Sequence, residues 1–301
     1  MNYQQFVCII REKVNYLLDS TAHAELHSTL KNNGHERIGL TISHQNTNIF
    51  PTIYLEEYYS HYQKGRGIND IAKNIVHLYH EVKFEKDWDI EQVHNFEYAK
   101  SKLVYKLIHL EKNQELLKGI PFVPYLDLAI VFYLLLDSSE TGSASILISN
   151  ELQHVWKVDL SDLYSIASLN TPKLLSAELV PMNTVIQELL GYVSAEDFES
   201  HDFDENDSHL FVLSNELRHL GAACILYDRV LEDIGNQLNE DFYVLPSSIH
   251  ETIILPASYH IRDFDLDEMI VEINATQVSA EETLSDHAYY YSRKESKLLQ
   301  V

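Results

Sequence analysis

The chain has 301 residues, of which 45% are hydrophobic and 23% charged, so it is long enough to bury one large core or two modest ones. Disorder of the whole chain is therefore not expected. The 46 acidic residues outnumber the 22 basic ones, which gives a formal net charge of −24 with the histidines neutral. This charge repels a phosphate backbone, so direct nucleic-acid binding is not expected either.

The sequence carries no pattern for export or membrane insertion. Residues Met1 to Phe6 lack the basic region and apolar core of a secretory signal. The most apolar stretch, Ile120 to Leu136, is interrupted by two prolines and an aspartate, so its uninterrupted part falls short of the ~20 residues of a membrane span. Cys8 and Cys224 are too few for a disulfide scaffold. We therefore expect a cytoplasmic protein.

The first part of the chain alternates between helical and extended patterns. Phe6, Ile10 and Val14 recur at helical spacing, and Asn33-Gly34 is typical of a hairpin turn because both residues tolerate positive φ. The expected elements are a helix from Phe6 to Leu17, a hairpin of Leu26–Leu30 and Ile38–Ile42, an extended segment Ile49–Leu55, and helices at Glu56–Gln63 and Ile68–Leu78.

The second part contains more strands, separated by turn formers. The expected elements are strands at Leu103–Ile108, Leu128–Leu136, Ser145–Ser149, Phe242–Leu245 and Thr252–Leu255, a solvated acidic loop at Ser194–His209, and a short helix at Leu266–Ile273. The pattern predicts an α+β fold with antiparallel sheets and flanking helices. We place an N-terminal α+β region at 1–120 and a C-terminal α+β region at 121–301, with a single domain as the alternative.

A six-residue string occurs twice in the second region. Ser-Asn-Glu-Leu-x-His begins at Ser149 and again, 65 residues later, at Ser214, each time after an apolar triplet. This echo predicts two strand-turn-strand-helix units, at 146–175 and 211–239, in which Asn and Glu occupy the turn. A shared binding motif is the functional alternative, and coincidence is a third. The candidate interaction residues are Asn150, Glu151, Asn215 and Glu216.

Tests for nucleotide, metal and cofactor motifs give negative results. Gly65 and Gly67 lack the third glycine of a phosphate-binding loop. Acidic runs starting at Asp202 and at Asp263 lack the central glycine and the terminal glutamate of a calcium loop. The segment His77–Glu81 has two histidines and a carboxylate but not the order of a zinc protease. The sequence therefore predicts no cofactor.

One short segment groups residue types that serve catalysis. Ser247, Ser248, His250 and Glu251 lie within five residues, which is compatible with a nucleophile or acid–base site. Neighbouring residues on a strand point to opposite faces, however, so cooperation between His250 and Glu251 would require a turn. A structural hairpin is the alternative interpretation.

Several stretches resemble a bacterial family known as domain of unknown function five-six-eight-eight. They span nearly the whole chain and are Leu30–Gly34, Pro51–Glu56, Asp127–Ile130, Leu245–Glu251, Asn274–Gln277 and Leu284–Asp286. The resemblance implies cytoplasmic bacterial proteins but no reaction, cofactor or catalytic residue.

Three functional hypotheses follow. The leading one is a non-enzymatic protein-binding or accessory protein whose partner is another protein, with no membrane contact and no specified oligomeric state. The second is a hydrolase-like enzyme with a site around Ser247, His250 and Glu251. The third is an inhibitor that mimics nucleic acid by displaying carboxylates at the spacing of phosphates.

Overall fold

The computed structural model describes residues 1–44, 52–82, 90–139, 142–189, 210–259 and 266–301. The chain forms two compact units, Met1–Asn95 and Phe96–Val301. This division precedes the boundary expected at residue 120. The reason is that strand Leu103–His109 pairs along its whole length with strand Leu128–Ser139, from Leu103 opposite Leu134 to His109 opposite Leu128. A boundary at 120 would separate these two paired strands.

The first unit is a three-stranded antiparallel sheet with helices. Its elements are α1 (Tyr3–Leu17), β1 (Ala22–Leu30), β2 (Glu36–His44), β3 (Thr52–Tyr54), α2 (Glu56–Gln63), α3 (Ile68–Val82) and α4 (Ile90–Val93). The strand order is β1-β2-β3, so β1 and β3 are the two edges. The predicted hairpin is confirmed, and its turn contains Asn33 at φ 58° and Gly34 at φ 72°.

The core of the first unit forms where apolar helix faces meet the sheet. Asn2 and Gln5 make reciprocal side-chain caps that start α1, and the helical spacing then turns its apolar residues inward. The fully buried residues of this core include Phe6, Ile10 and Val14 of α1, Leu40 and Ile42 of β2, and Ile71 and Ile75 of α3. The predicted helices are thus confirmed, and α1 and α3 each bury an apolar face.

The second unit contains two antiparallel sheets. Its elements are α5 (Phe96–Ala99), β4 (Leu103–His109), α6 (Gln114–Leu117), β5 (Phe122–Tyr125), β6 (Leu128–Ser139), β7 (Gly142–Leu147), α7 (Asn150–Trp156), α8 (Leu160–Leu174), β8 (Ala177–Pro181), α9 (Met182–Leu189), β9 (Phe211–Asn215), α10 (Val230–Leu238), β10 (Phe242–Leu245), β11 (Thr252–Pro256), α11 (Leu266–Thr276), β12 (Tyr289–Ser292) and β13 (Lys297–Gln300). In the four-stranded sheet, β6 pairs with β4 on one side and with β5 and β7 on the other. The six-stranded sheet has the order β13-β12-β10-β11-β9-β8.

Helix α8 covers the outer edge of β4. The backbone N–H of Tyr105 donates to Thr171 Oγ1 at 3.1 Å, and Asn170 Nδ2 donates to the carbonyl of Leu103 at 3.1 Å. Unpaired backbone groups on an edge strand would otherwise invite pairing with another chain. The edge of this sheet is therefore closed by side chains of the same unit.

The predicted α+β class with antiparallel sheets and flanking helices is confirmed. The prediction of two strand-turn-strand-helix units is wrong, because residues 146–175 run from β7 into α7 and α8 with no second strand. Residues 211–239 run from β9 through a 3₁₀ helix, Gly221–Leu226, into α10. The predicted acidic loop Ser194–His209 lies outside the described residues. Within the described ranges, no helix has the length and apolar character needed to cross a membrane.

The position of the boundary between the units can be tested with fragments. We expect a fragment of residues 96–301 to fold cooperatively, whereas a fragment of residues 121–301 should not, because it lacks β4 and leaves one side of β6 without hydrogen-bond partners. Thermal melts followed by circular dichroism compare the two. Equal cooperativity and equal midpoints would contradict the boundary at Asn95.

Candidate functional site

The segment Ser247–Glu251 lies between the paired strands β10 and β11, and its serines are enclosed. Ser247 and Ser248 are each 6% exposed. Ser248 Oγ accepts a hydrogen bond from the backbone N–H of His250 at 3.1 Å, which closes a turn. The backbone of Ser247 accepts from the N–H of Leu284, and Ser248 bridges to Thr283. The serines therefore fix the path of the chain.

The imidazole of His250 has a structural position. Its Nδ1 accepts a hydrogen bond from the backbone N–H of Leu220 at 3.2 Å, so Nδ1 carries no proton in this arrangement. Its Nε2 lies 3.5 Å from Glu282 Oε1. The carboxylate that faces the ring is thus Glu282 and not Glu251, a pairing across 32 positions for which the sequence offers no local signal. Within the predicted grouping, Ser247 therefore contacts Leu284 through its backbone carbonyl, and His250 faces Glu282.

The two copies of the six-residue string have different structures. In the first copy, Ser149 is the N-cap of α7, with its Oγ accepting from the N–H of Leu152 at 3.1 Å. Asn150 and Glu151 are exposed in the first turn of that helix. The first copy is therefore a helix start.

In the second copy, Asn215 is fully buried at the end of β9, whereas Glu216 is exposed. Asn215 Oδ1 accepts from the N–H groups of Leu217 and His219, and Asn215 Nδ2 donates to the carbonyl of His219 at 2.8 Å. The second copy is therefore a side-chain-closed turn, and the two copies do not form a common binding motif.

Gly221 brings three chain segments together next to this turn. A Cβ atom at this position would lie 2.2 Å from Ser214 Oγ, 2.6 Å from the backbone N of Asn215 and 2.6 Å from the carbonyl O of His250. Ser214 Oγ donates to the same carbonyl of His250 at 2.8 Å, and Cys224 Sγ donates to the carbonyl of Ser214 at 3.2 Å. Of the predicted residues, Asn215 and His250 thus belong to a close-packed junction of backbone segments.

A second polar centre joins the two sheets and was not selected from the sequence. Asp127, in the turn before β6, accepts hydrogen bonds from the hydroxyls of Ser285 and Tyr289. Both donors are 0% exposed. Burial and the adjacent carboxylate raise the pKa of Tyr289, so the phenol stays protonated and donates. Because both donors are buried and are hydrogen-bonded to Asp127, we interpret this centre as structural.

An ion pair extends this centre toward the surface. Asp286 accepts from Lys112 Nζ at 2.9 Å and from Asn274 Nδ2 at 2.8 Å. Burial raises the pKa of Asp286, but the hydrogen bonds from Lys112 and Asn274 outweigh burial and hold the pKa below its ordinary value. Stretches around Asp127, Asn274 and Ser285 also carry the family resemblance. These stretches therefore meet in space although they are far apart in the chain.

His109 organises the backbone beside this centre. It is 8% exposed, and its Nδ1 accepts from the N–H groups of Glu111 and Lys112 at 3.1 and 3.2 Å. Burial, followed by the charge of Lys112, lowers its pKa below the ordinary histidine value. Protonation of Nδ1 would break both hydrogen bonds, so the fold requires the neutral ring.

The first unit carries an accessible groove, which we call the tyrosine groove. Its lining comes from β2, β3, α2 and α3 and comprises Arg37, Thr52, Ile53, Tyr54, Glu57, Tyr58, Leu78 and Tyr79, around a volume of about 260 Å³. Lys31 Nζ lies 4.5 Å from the centre of the Tyr54 ring, and the Arg37 guanidinium carbon lies 5.4 Å from it. Burial raises the pKa of Tyr58 and of Tyr79, so both hydroxyls remain neutral.

In the part of the chain that the structure describes, no three His, Cys, Asp or Glu side chains are grouped so as to hold a metal ion. The fold and these sites define an α+β protein whose buried polar centres are occupied by internal contacts and whose first unit displays an aromatic groove. The model of a family of unknown function, DUF5688, matches residues 3–293, and the chain belongs to this family. No curated protein and no solved structure matches the chain.

The junction around Gly221 gives a stability prediction. We expect Gly221→Ala to lower the free energy of unfolding by about 1–3 kcal/mol or more, because two of the three atoms that the new methyl would meet belong to the backbone and cannot rotate away. Gly119→Ala is the matched control, since its nearest neighbour would be 3.7 Å away. Urea denaturation measures both variants, and similar midpoints for the two would contradict the close packing.

The position of His109 gives a pH prediction. Because the folded state lowers the pKa of this ring, the unfolded chain binds the proton more readily, and stability should fall as the pH drops below about 6.5. His109→Asn keeps an acceptor for the two amides without a titratable ring, so its unfolding free energy should vary less across roughly pH 5–7. His154→Asn removes an exposed histidine as the control. An unchanged pH profile in His109→Asn would refute this role.

Proposed function

We propose that the protein is a non-enzymatic accessory protein of the cytoplasm that binds another protein through the tyrosine groove. The observation that carries this proposal is the composition of the groove, where Lys31 and Arg37 lie close to the Tyr54 ring and where Tyr54, Tyr58 and Tyr79 share the lining. Tyrosine and arginine dominate the energetic centres of protein interfaces, because they offer large apolar area together with polar ends.

The size of the groove favours a protein partner over a small substrate. Its volume of about 260 Å³ lies below the ~300–1,000 Å³ of common small-molecule sites, and one or two side chains would fill it. An apolar or aromatic side chain fits among Tyr58, Leu78 and Tyr79. A carboxylate next to it in the partner would meet the positive charges of Lys31 and Arg37.

The distribution of charge supports the same assignment. Residues 1–95 contain 12 acidic and 9 basic side chains, a net charge of −3, whereas residues 96–301 contain 34 and 13, a net charge of −21. A segment with negative side chains would be repelled much more strongly by the second unit than by the first. Both cysteines are free, Cys8 exposed and Cys224 buried, as expected for a reducing compartment.

A nucleic-acid mimic is the second candidate function. The observation that favours it is the net charge of −21 on the second unit, which would compete with a phosphate backbone for a basic surface. Binding of this kind weakens steeply as salt is added and does not depend on Tyr54. Binding through the groove would depend strongly on Tyr54 and less on salt.

The proposal is tested with one tyrosine in the groove and one outside it. Tyr54→Thr removes the central ring but keeps a residue suited to a strand, whereas Tyr16→Ala removes a tyrosine that is 88% exposed at the end of α1. Each variant serves as bait in quantitative affinity capture from the host lysate, and affinities for the retained protein are then measured with purified components. We expect Tyr54→Thr to weaken binding on the order of tenfold or more, with Tyr16→Ala unchanged.

Two results would contradict the proposal. A partner retained equally by the wild type and Tyr54→Thr would place binding elsewhere. Loss of binding in both variants would show that the effect is not specific to the groove. Circular dichroism of each variant confirms that the fold is intact before either result is interpreted.

A further inference from the structure

Strand β1 forms one edge of the sheet in the first unit, and its even-numbered residues direct their backbone groups outward. Asn15 shows this direction, because its side chain accepts from the N–H of Ala24 at 2.8 Å and donates to the carbonyl of Ala24 at 2.9 Å. Ala22 likewise donates outward, to the carbonyl of Asp19. At the other end, the odd-numbered Lys31 donates inward to His35. Because the direction of the backbone N–H and C=O groups alternates along a strand, those of Leu26, Ser28 and Leu30 also point outward.

In the part of the chain that the structure describes, the outer edge has hydrogen-bond partners only at its beginning. Among the described residues, none provides a backbone or side-chain hydrogen bond to the outward N–H and C=O groups of Leu26, Ser28 and Leu30. The edge of β4 in the second unit is different, because α8 supplies Thr171 and Asn170 to it. Natural sheets rarely leave such a length of edge without a partner.

The space beside the edge is open. A broad polar groove of about 960 Å³ runs between α1 and β1, lined by Arg11, Glu12 and Asn15 on the helix and by residues 22–26 on the strand. Leu26, the first of the three residues with outward backbone groups, lines this groove, so an added strand that pairs with Leu26 would extend along the groove. Leu30 is 38% exposed at the far end of this strand and would gain apolar cover.

We propose that the open edge of β1 pairs with the same edge of a second copy of this chain, as two antiparallel strands with Ser28 opposite Ser28. The register follows from Asn15. Its side chain is already hydrogen-bonded to the backbone N–H and C=O of Ala24, so only Leu26, Ser28 and Leu30 can form hydrogen bonds with an added strand. With Ser28 on the two-fold axis, Leu26 faces Leu30 of the second copy, and all three residues of each copy form hydrogen bonds.

The aligned side chains are compatible with self-pairing. His27 faces Thr29 of the second copy, and Glu25 faces Lys31, so no two like charges meet. The first unit has a net charge of only −3, which makes repulsion between two copies of it small. The tyrosine groove lies beside β3, the opposite edge of the sheet, and Lys31 is the residue that contacts the groove through Tyr54 and would also face Glu25 in this pairing.

The two-fold axis through Ser28 allows a test by charge. Ser28 is exposed, and a substitution there is placed opposite itself in the dimer. Sedimentation velocity of the full-length wild type should show a dimer that dissociates on dilution. Ser28→Lys and Ser28→Glu should each dimerise roughly tenfold more weakly, because two like charges face each other, and an equimolar mixture of both variants should regain the association of the wild type.

Gln4→Lys and Gln4→Glu introduce the same charges at an exposed position of α1 and should leave dimerisation unchanged. A wild type that is monomeric at every concentration would overturn the proposal and leave the edge to an extended segment of another protein. The proposal also fails if the Ser28 variants dimerise like the wild type, or if mixing them restores nothing. Recovery on mixing excludes misfolding as the cause of a weaker dimer.

Discussion

The second unit depends on the hydrogen bonds that the carboxylate of Asp127 accepts. Asp127 lies in a turn of the four-stranded sheet. Its carboxylate accepts hydrogen bonds from the hydroxyl of Ser285, which precedes β12 of the six-stranded sheet, and from the hydroxyl of Tyr289, which lies in β12. Asp127 is partly buried, and such donors satisfy the carboxylate oxygens that are withdrawn from water. With Ser285 held there, the preceding residues lie along the β10–β11 connection, which places Glu282 against His250.

The same physical requirement explains most of the polar residues that resemble catalytic ones. His250, Asn215 and His109 each accept hydrogen bonds from backbone N–H groups that regular secondary structure leaves unpaired. A buried amide without a partner destabilises the fold by about 1–3 kcal/mol, so side chains with a suitable acceptor are retained at these positions. Histidine serves here as an acceptor, a role that sequence patterns do not separate from acid–base chemistry.

The sequence predicts the local elements well because their signals are local. The apolar spacing from Phe6 to Val14 and the Asn33-Gly34 turn locate α1 and the first hairpin. The repeated string at Ser149 and Ser214 does not predict a common structure, because its conformation depends on residues outside the string. Five of the six positions are the same in the two copies, yet the first copy caps a helix after β7 and the second closes a turn at the end of β9, because the neighbouring segments supply different partners. Nearly identical short strings therefore specify structure only together with their surroundings.

The candidate sites depend on contacts between residues that are distant in sequence. Asp127 and Ser285 are separated by 158 positions, and no spacing rule links them. The tyrosine groove draws its lining from two strands and two helices, so the extended segment at Ile53 and Tyr54 was foreseeable while the groove was not. The open edge of β1 follows from strand order and from the single side chain of Asn15, neither of which periodicity reveals.

The contrast between the two thiols has a practical consequence. Cys8 is exposed on the first unit, whereas Cys224 lies inside the second, where burial raises its pKa to about 12 and suppresses the reactive thiolate. An alkylating dye therefore modifies a single sulfur of the intact molecule and reaches the other only when the second unit opens. Each chain thus contains its own reporter of opening, with the label on Cys8 as the internal reference.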